Sequence, residues 1–246
     1  MPTIHELTQR FESFLFAPRH GRGVCRTCFN FTDGYARCYA CGRNEAWLRA
    51  VAPISYSVAK EQLHHALATY KRVNGGVARE LAAGLAAVLW RFLERHECCL
   101  ARAAGIGRFE LVTTVPSGDP TRDDGQPLRR IVAEVVGSTR DRHERLLAPS
   151  GVVVPPHEFS REKYAVTRRL DGESVLLIDD TWTTGSNAQS AAAALAAAGA
   201  GAVAAVVIGR HLNREWHDND RRLTEIPRPF NWDVCALCDP ERMTGN

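Results

Sequence analysis

The sequence is poor in lysine and has no long apolar run. Only three of its 31 basic residues are lysines. No stretch approaches the roughly 18 consecutive apolar residues of a membrane helix, so we expect no membrane insertion. Near the N-terminus, Ile4, Leu7, Phe11 and Phe14 recur at helical spacing instead of forming the continuous apolar segment of a secretory signal. We therefore expect a cytoplasmic location.

The net charge is also small, at +3 for 246 residues. Such a balance is compatible with an anionic ligand but does not by itself indicate nucleic acid. With 45% hydrophobic residues, the chain can form one sizeable core and a small appendage. In a cytoplasmic chain, eight cysteines favour metal binding over disulfide bonds.

Four cysteines form two close pairs near the N-terminus. Cys25 and Cys28 are separated by two residues, as are Cys38 and Cys41. Each Cys-x2-Cys turn presents two sulfurs to one ion, and four thiolates complete the tetrahedral shell of a structural zinc site. The alternatives are an iron–sulfur centre or a redox pair. Little apolar material lies between the pairs, so we expect this segment to unfold without metal.

The remaining cysteines have no complete motif. Cys235 and Cys238 make a half-site that could complete a second metal site with distant ligands, replace one N-terminal pair or have no role; we favour metal. Cys98 and Cys99 are interpreted as core or incidental residues, because neighbouring side chains point apart. The nine histidines form no motif.

Strand-like and helix-like segments alternate from residue 109 onward. Strands are predicted at Phe109–Val115, Gly151–Val154, Val175–Ile178 and Val203–Ile208. Helices are predicted at Val77–Glu97, Leu128–Val136 and Asn187–Ala198, the last closed by Gly199. This order predicts an α/β fold with a mainly parallel sheet.

The stretch Val175–Asn187, VLLIDDTWTTGSN, places two acids after an apolar strand and small polar residues before a helix. Ligands of open α/β sheets bind at such strand ends. Unpaired N–H groups at a helix N-terminus suit a phosphate, and the hydroxyl groups and glycine suit its close approach. Asp179 and Asp180 would repel phosphate but can accept hydrogen bonds from sugar hydroxyls. The motif predicts a ribose 5-phosphate pocket; the alternative is an acidic turn followed by a polar helix cap.

This stretch resembles the phosphoribosyl pyrophosphate (PRPP) signature of type I phosphoribosyltransferases. The resemblance implies that Asp179 and Asp180 hold the ribose hydroxyls. It also implies that the residues around the helix N-terminus bind the ligand, namely Thr181, Thr183, Thr184, Gly185, Ser186 and Asn187. Magnesium would arrive with PRPP and be held mainly by the ligand's own oxygens and by water.

The order of segments is similar to that of the ComF-like competence proteins, which join an N-terminal cysteine zinc module to a phosphoribosyltransferase domain. The matching segments are the cysteine cluster, APISYSVAKEQLHHALATYKR, TTVPSG and the PRPP motif. The resemblance implies a type I phosphoribosyltransferase fold, a mainly parallel twisted sheet flanked by helices. Residues 1–50 would form the N-terminal helix and zinc module, and residues 51–246 the phosphoribosyltransferase-like domain.

The resemblance also implies residues around the pyrophosphate and the acceptor. Ser117, Gly118 and Arg122 of VPSGDPTR would contact pyrophosphate, although this loop is shorter than the family's and transfer is left open. Arg161 and Lys163, with Arg168 and Arg169 behind them, would belong to a basic loop that closes over the leaving group. Lys71 would help cover the acceptor; a cation at a helix C-terminus is the alternative.

Two functions are compatible with these residues. The first is a phosphoribosyltransferase-like protein that binds PRPP and transfers the phosphoribosyl group to an unidentified base or amine. The second is a non-catalytic module in DNA uptake that binds single-stranded DNA or a protein of the competence machinery. Its contact surface would be the basic N-terminal region, with Arg19, Arg22, Arg26, Arg37 and Arg43. A homodimer is a further open alternative.

Overall fold

The computed structural model describes residues 3–71, 75–117 and 125–238, and four parallel strands form its central sheet. These strands are β1 (Ala50–Val58), β2 (Leu111–Thr114), β5 (Ser174–Trp182) and β6 (Ala202–Leu212), in the order β1-β6-β5-β2. The strands β3 (Leu147–Pro149) and β4 (Tyr164–Val166) form a separate antiparallel pair. The predicted α/β fold with a parallel sheet is confirmed.

The helices flank this sheet. They are α1 (Ile4–Glu12), α2 (Tyr39–Arg43), α3 (Gln62–Thr69), α4 (Gly76–Ala103), α5 (Pro127–Arg130), α6 (Gly137–Arg140), α7 (Ser186–Ala197) and α8 (Asn219–Thr224). A π-helical turn, Ile131–Val135, continues α5. The predicted glycine stop of α7 is confirmed, because Gly199 has a φ of 108° just after the helix.

The two faces of the sheet are covered by different parts of the chain. Leu176 and Ile178 of β5 pack in a core with α1, α3 and α4. Val175 and Leu177 point to the other face and pack in a second core with α7 and the four N-terminal cysteines. The N-terminal cysteine cluster therefore covers one face of the sheet together with α7.

The central strand is longer than its apolar run. Asp179, Thr181 and Trp182 still pair with β6, so β5 continues four residues beyond Ile178. The acidic pair consequently lies within the strand and not after it. Because successive strand residues point to opposite faces, Asp179 and Asp180 face different sides of the sheet.

The prediction of a strand at Gly151–Val154 is wrong. Residues 150–163 connect β3 to β4, and Val152 and Val153 are exposed instead of packed. The two actual strands have only three residues each. Such short strands are defined by their pairing with each other, and three residues are too few for a period-two pattern to show.

Candidate functional site

The polar connection between β5 and α7 forms a tight turn at the helix N-terminus. Gly185 has a φ of 81° and a ψ of 0°, and α7 begins at the next residue. The Thr184 hydroxyl donates to Ser186 Oγ at 3.1 Å and accepts from the Ser186 N–H at 3.4 Å. The turn therefore gathers hydroxyl groups at the positive end of a twelve-residue helix, where an anion is favoured.

The side chain of Trp182 packs against this turn. Its side chain is 2% exposed, and a Cβ atom added to Gly185 would lie 2.1 Å from the indole Cζ2. Glycine is therefore required at position 185 both by the left-handed backbone and by the indole. The shape of the turn depends on this contact.

Asp180 is buried and already has two partners. It is 5% exposed, and its Oδ2 accepts from the Tyr70 hydroxyl at 2.6 Å and from Lys71 Nζ at 2.5 Å. Burial, followed by the charge of Asp180, raises the pKa of Tyr70 well above its usual value, so the phenol remains a donor. Lys71, predicted near the acceptor, thus contacts the acidic pair in the free protein.

Asp179 is partly buried on the opposite side of the strand. Its Oδ1 accepts from the Asp180 N–H at 2.8 Å. Burial, with the adjacent charge of Asp180 as the second cause, raises its pKa to about 7. The carboxyl of Asp179 therefore gains and loses its proton near neutral pH.

The raised pKa of Asp179 predicts a pH-dependent stability. The folded protein binds this proton more tightly than the unfolded chain, so the free energy of unfolding falls as pH rises from about 4 to about 7. Asp179→Asn removes the titrating group and with it this pH dependence. We expect the free energy of unfolding of the variant, relative to that of the wild type, to rise by at least about 1 kcal/mol between about pH 5 and about pH 8. Urea unfolding of both proteins at the two pH values measures these free energies. An equal difference between variant and wild type at both would contradict the shift.

The four N-terminal cysteines meet at one point. All four are buried, their sulfurs lie within 4.8 Å of one another, and the Cys28 and Cys38 sulfurs are 3.6 Å apart. The neighbouring thiols lower the pKa of Cys25 by hydrogen-bonding to its thiolate, and the same neighbours raise that of Cys41. The cluster could hold a metal ion, as predicted from the spacing.

Arg210 lies between this cluster and the end of β5, and it belongs to no sequence motif. It is 4% exposed, and its Nη1 donates to the Trp182 carbonyl at 3.2 Å. Burial is the largest single effect and lowers its pKa, but the combined effects of Cys28, Cys38 and Cys41 exceed it and raise the pKa above its usual value. The one available signal was an arginine two residues beyond the apolar run of β6.

The segment after α2 holds the turn in place. Asn44 Nδ2 donates to the Thr184 carbonyl at 2.9 Å. Gln189 of α7 accepts from the backbone N–H groups of Trp47 and Leu48 at 2.7 and 3.1 Å. The cysteine module therefore contacts the polar turn directly, through side chains that are far from it in sequence.

The predicted basic loop is anchored beside the same module. The Ser160 N–H donates to Ser190 Oγ of α7 at 3.0 Å. Arg161 bonds Glu45 at 2.7 Å and stacks 4.7 Å from the Trp47 ring centroid. Lys163 is partly buried, which lowers its pKa. The structure thus brings Arg161 to the cysteine module and not to the acidic pair.

The other predicted residues have different surroundings or lie outside the described chain. Arg168 bonds Glu144 and Glu173, and Arg169 is exposed. Ser117 follows β2, whose end adjoins β5, because the Val115 N–H donates to the Ile178 carbonyl at 3.0 Å. Gly118 and Arg122 lie outside the described residues.

A cavity of about 470 Å³ opens beside the polar turn. Its lining residues include Thr183 and Thr184 of the turn together with Arg37, Tyr39 and Trp216. A ligand that places an anion at the turn would therefore have cationic and aromatic side chains within reach.

A second group of ligand-type side chains corrects the interpretation of Cys99. The side chains of His96, Cys99, Cys235 and Cys238 lie within 4.8 Å of one another and could hold a metal ion. Cys98 is exposed, so the two neighbours do point apart. Cys99 is nevertheless not incidental, because its side chain reaches the C-terminal half-site.

Comparisons with known proteins found no match to this chain. No protein-family model matches it, and neither does any curated protein or solved structure. The case for a function therefore rests on the residues of the chain itself.

Among the helices in the described part of the chain, none combines the length and apolar character needed to cross a membrane.

Proposed function

We propose that the chain binds PRPP, or another ribose 5-phosphate ligand, where β5 meets α7. The observation that carries this proposal is the pairing of two strand carboxylates with the glycine turn that opens α7. Only three residues, Thr181–Thr183, separate the two carboxylates, which can accept hydrogen bonds from sugar hydroxyls, from the turn, which favours a phosphate. A parallel sheet flanked by helices is also the framework that a type I phosphoribosyltransferase fold requires.

The two ends of the motif receive different parts of the ligand. The 5-phosphate would accept hydrogen bonds from the first N–H groups of α7 and from the hydroxyls of Thr184 and Ser186. The ribose hydroxyls would donate to Asp179. Asp180 is held by Tyr70 and Lys71, so it would reach the sugar only when Lys71 moves.

Phosphoribosyl transfer is the reaction that this arrangement best suits. The bond from ribose C1 to pyrophosphate breaks, a nitrogen of the acceptor bonds to C1, and pyrophosphate leaves with the bonding electrons. Cations near the leaving group stabilise its growing negative charge. Lys163 and Arg161 would supply them once Arg161 leaves Glu45. The acceptor would be a base or an amine.

Titration calorimetry with PRPP and magnesium tests this proposal. We expect about one PRPP per chain, and at least a tenfold weaker association for the Asp179→Asn, Asp180→Asn double variant, about 1.4 kcal/mol or more. Asp171→Asn is the matched control, since it removes an exposed carboxylate before the opposite end of β5. The ribose pocket is refuted if the wild type does not bind or if the double variant binds equally well.

We further propose that the N-terminal cysteine cluster holds a structural zinc ion. Four buried sulfurs around one point are the donor set of closed zinc sites. The buried guanidinium of Arg210 would offset part of the negative charge of four thiolates. Because Asn44, Trp47 and Leu48 contact the turn and α7, the ion would help to hold the ligand site in shape.

A second candidate function is the binding of single-stranded DNA, and exposed aromatic residues favour it. Tyr35, Tyr39 and Trp216 are 72%, 75% and 60% exposed and line the same cavity as Arg37. Exposed rings interleaved with arginine can stack on unpaired bases. A gel shift with a single-stranded oligonucleotide at low salt checks this, and loss of the shift in Tyr39→Ala would tie it to this surface.

A further inference from the structure

The second cysteine–histidine group joins two distant parts of the chain. His96 and Cys99 lie three residues apart on one side of α4. Cys235 and Cys238 lie near the end of the described chain, in a Cys-x2-Cys turn closed by a hydrogen bond from the Cys238 N–H to the Cys235 carbonyl at 3.0 Å. Two short-range pairs thus meet across about 140 residues of sequence.

Four of the six separations between the ligand atoms of this group are close to the edges of a zinc tetrahedron. The Cys238 sulfur lies 3.5 Å from that of Cys235 and 3.8 Å from that of Cys99. His96 Nδ1 lies 3.7 Å from the Cys238 sulfur and 3.9 Å from the Cys99 sulfur. Zinc–ligand bonds of about 2.0–2.3 Å at tetrahedral angles separate the ligand atoms by about 3.5–3.8 Å. The four side chains are spaced for one ion.

The other nitrogen of His96 is already engaged, which fixes the ring. His96 is buried, and its Nε2 lies 2.8 Å from the Trp232 carbonyl, an atom that can only accept. Nε2 therefore carries the proton, and the lone pair of Nδ1 faces the sulfurs. Metal-binding histidines are oriented in this way by a backbone carbonyl.

Backbone donors point at the sulfurs of the C-terminal turn. The Cys235 N–H donates to the Cys238 sulfur at 3.2 Å, and the Leu237 N–H donates to the Cys235 sulfur at 3.4 Å. Such donors favour the thiolate, which is the form that binds metal. A disulfide is a poorer account of this cluster, since all three cysteines are free and both separations from the Cys238 sulfur far exceed the bond length of about 2.05 Å.

We propose that His96, Cys99, Cys235 and Cys238 form a second structural zinc site, separate from the N-terminal cluster. The site fastens the C-terminal segment to α4. Ala236 and Leu237, inside its Cys-x2-Cys turn, pack on Val24 and Phe29 beside the N-terminal cluster. The second ion therefore also supports the outer side of the first site. The proposal is independent of PRPP binding.

Zinc content measured on the purified full-length chain tests this site. We expect two zinc ions per wild-type chain, and one in Cys99→Ser and in the Cys235→Ser, Cys238→Ser double variant. Cys98→Ser is the matched control, because its neighbouring, exposed thiol lies outside the cluster, and it should retain two ions. One zinc per wild-type chain would overturn the proposal. So would equal metal loss in Cys98→Ser and Cys99→Ser.

Cobalt substitution of the wild type keeps the test valid if a variant fails to fold. We expect two equivalents of Co²⁺ to bind, with the visible spectrum the sum of a four-sulfur site and a three-sulfur, one-nitrogen site. A spectrum from four-sulfur coordination alone would contradict the second site. So would a wild-type mass showing a disulfide that involves Cys99, Cys235 or Cys238.

Discussion

Gly185→Ala is expected to weaken PRPP binding by at least about tenfold, because the phosphate-binding turn cannot keep its shape with a side chain at this position. The added Cβ would lie 2.1 Å from the indole of Trp182, which is buried. The left-handed backbone adds a strain of roughly 1 kcal/mol for a non-glycine residue. Either the indole moves or the turn opens, and both displace the first N–H groups of α7. Calorimetry with PRPP and magnesium measures the loss.

Gly172→Ala separates the effect of backbone strain from that of the clash. Gly172 has a φ of 84°, close to the 81° of Gly185, but a Cβ there would have no atom within 4 Å. We expect this control to lose roughly 1 kcal/mol of stability and to bind PRPP as the wild type does. If Gly185→Ala binds PRPP as tightly as Gly172→Ala, the turn is not the phosphate site.

Removing the metal from the N-terminal cluster is expected to destabilise the whole chain and not the cysteine module alone. Cys25, Cys28, Cys38 and Cys41 share a hydrophobic core with β5, β6 and α7, so their release uncovers one face of the sheet. Structural zinc contributes many kcal/mol to folding, and we expect the midpoint of thermal unfolding to fall by at least about 10 °C. Thermal unfolding after chelation, and again after zinc is restored, measures this change together with that caused by loss of the second proposed ion.

The variant Cys28→Ser makes the same test without a chelator. It removes one buried sulfur from the N-terminal cluster, whereas Cys98→Ser removes an exposed one and should leave the unfolding temperature unchanged. Both remove a thiol, but only the first alters the cluster. An unfolding temperature that stays the same after chelation and in Cys28→Ser would show that the cluster carries no stabilising ion.

The parts of the fold that sequence could predict are those encoded by local patterns. The β5–α7 unit was predictable because its strand is an apolar run, its turn contains Gly185 and its helix ends at a glycine. The N-terminal cluster was predictable because each Cys-x2-Cys pair acts within one turn. Both features need only neighbours in sequence.

The remaining features depend on contacts between distant segments. Cys99 looked incidental because its partner, Cys238, is 139 residues away, and His96 is one of nine histidines without a motif. Arg210 has a role only because β6 carries it between the cysteine cluster and Trp182. Local periodicity carries no information about such pairings.

The acidic pair shows the same limit at closer range. Adjacent aspartates suggested two equivalent partners for the sugar. The structure instead continues the strand through them, so Asp180 faces Tyr70 and Lys71 while Asp179 lies on the other side with a raised pKa. A motif therefore specifies which groups are present, whereas the pairing of β5 with β6 decides which way each one faces.

Backbone amide NMR during a titration with ribose 5-phosphate tests the central claim most directly. The account predicts that the amides of Ser186 and Asn187, at the start of α7, show the largest chemical-shift changes, as donors to the phosphate. Free ribose, which lacks the phosphate, should leave these amides nearly unchanged. Ribose 5-phosphate changes confined to other parts of the chain, or equal changes with both sugars, would contradict a phosphate site at the start of α7.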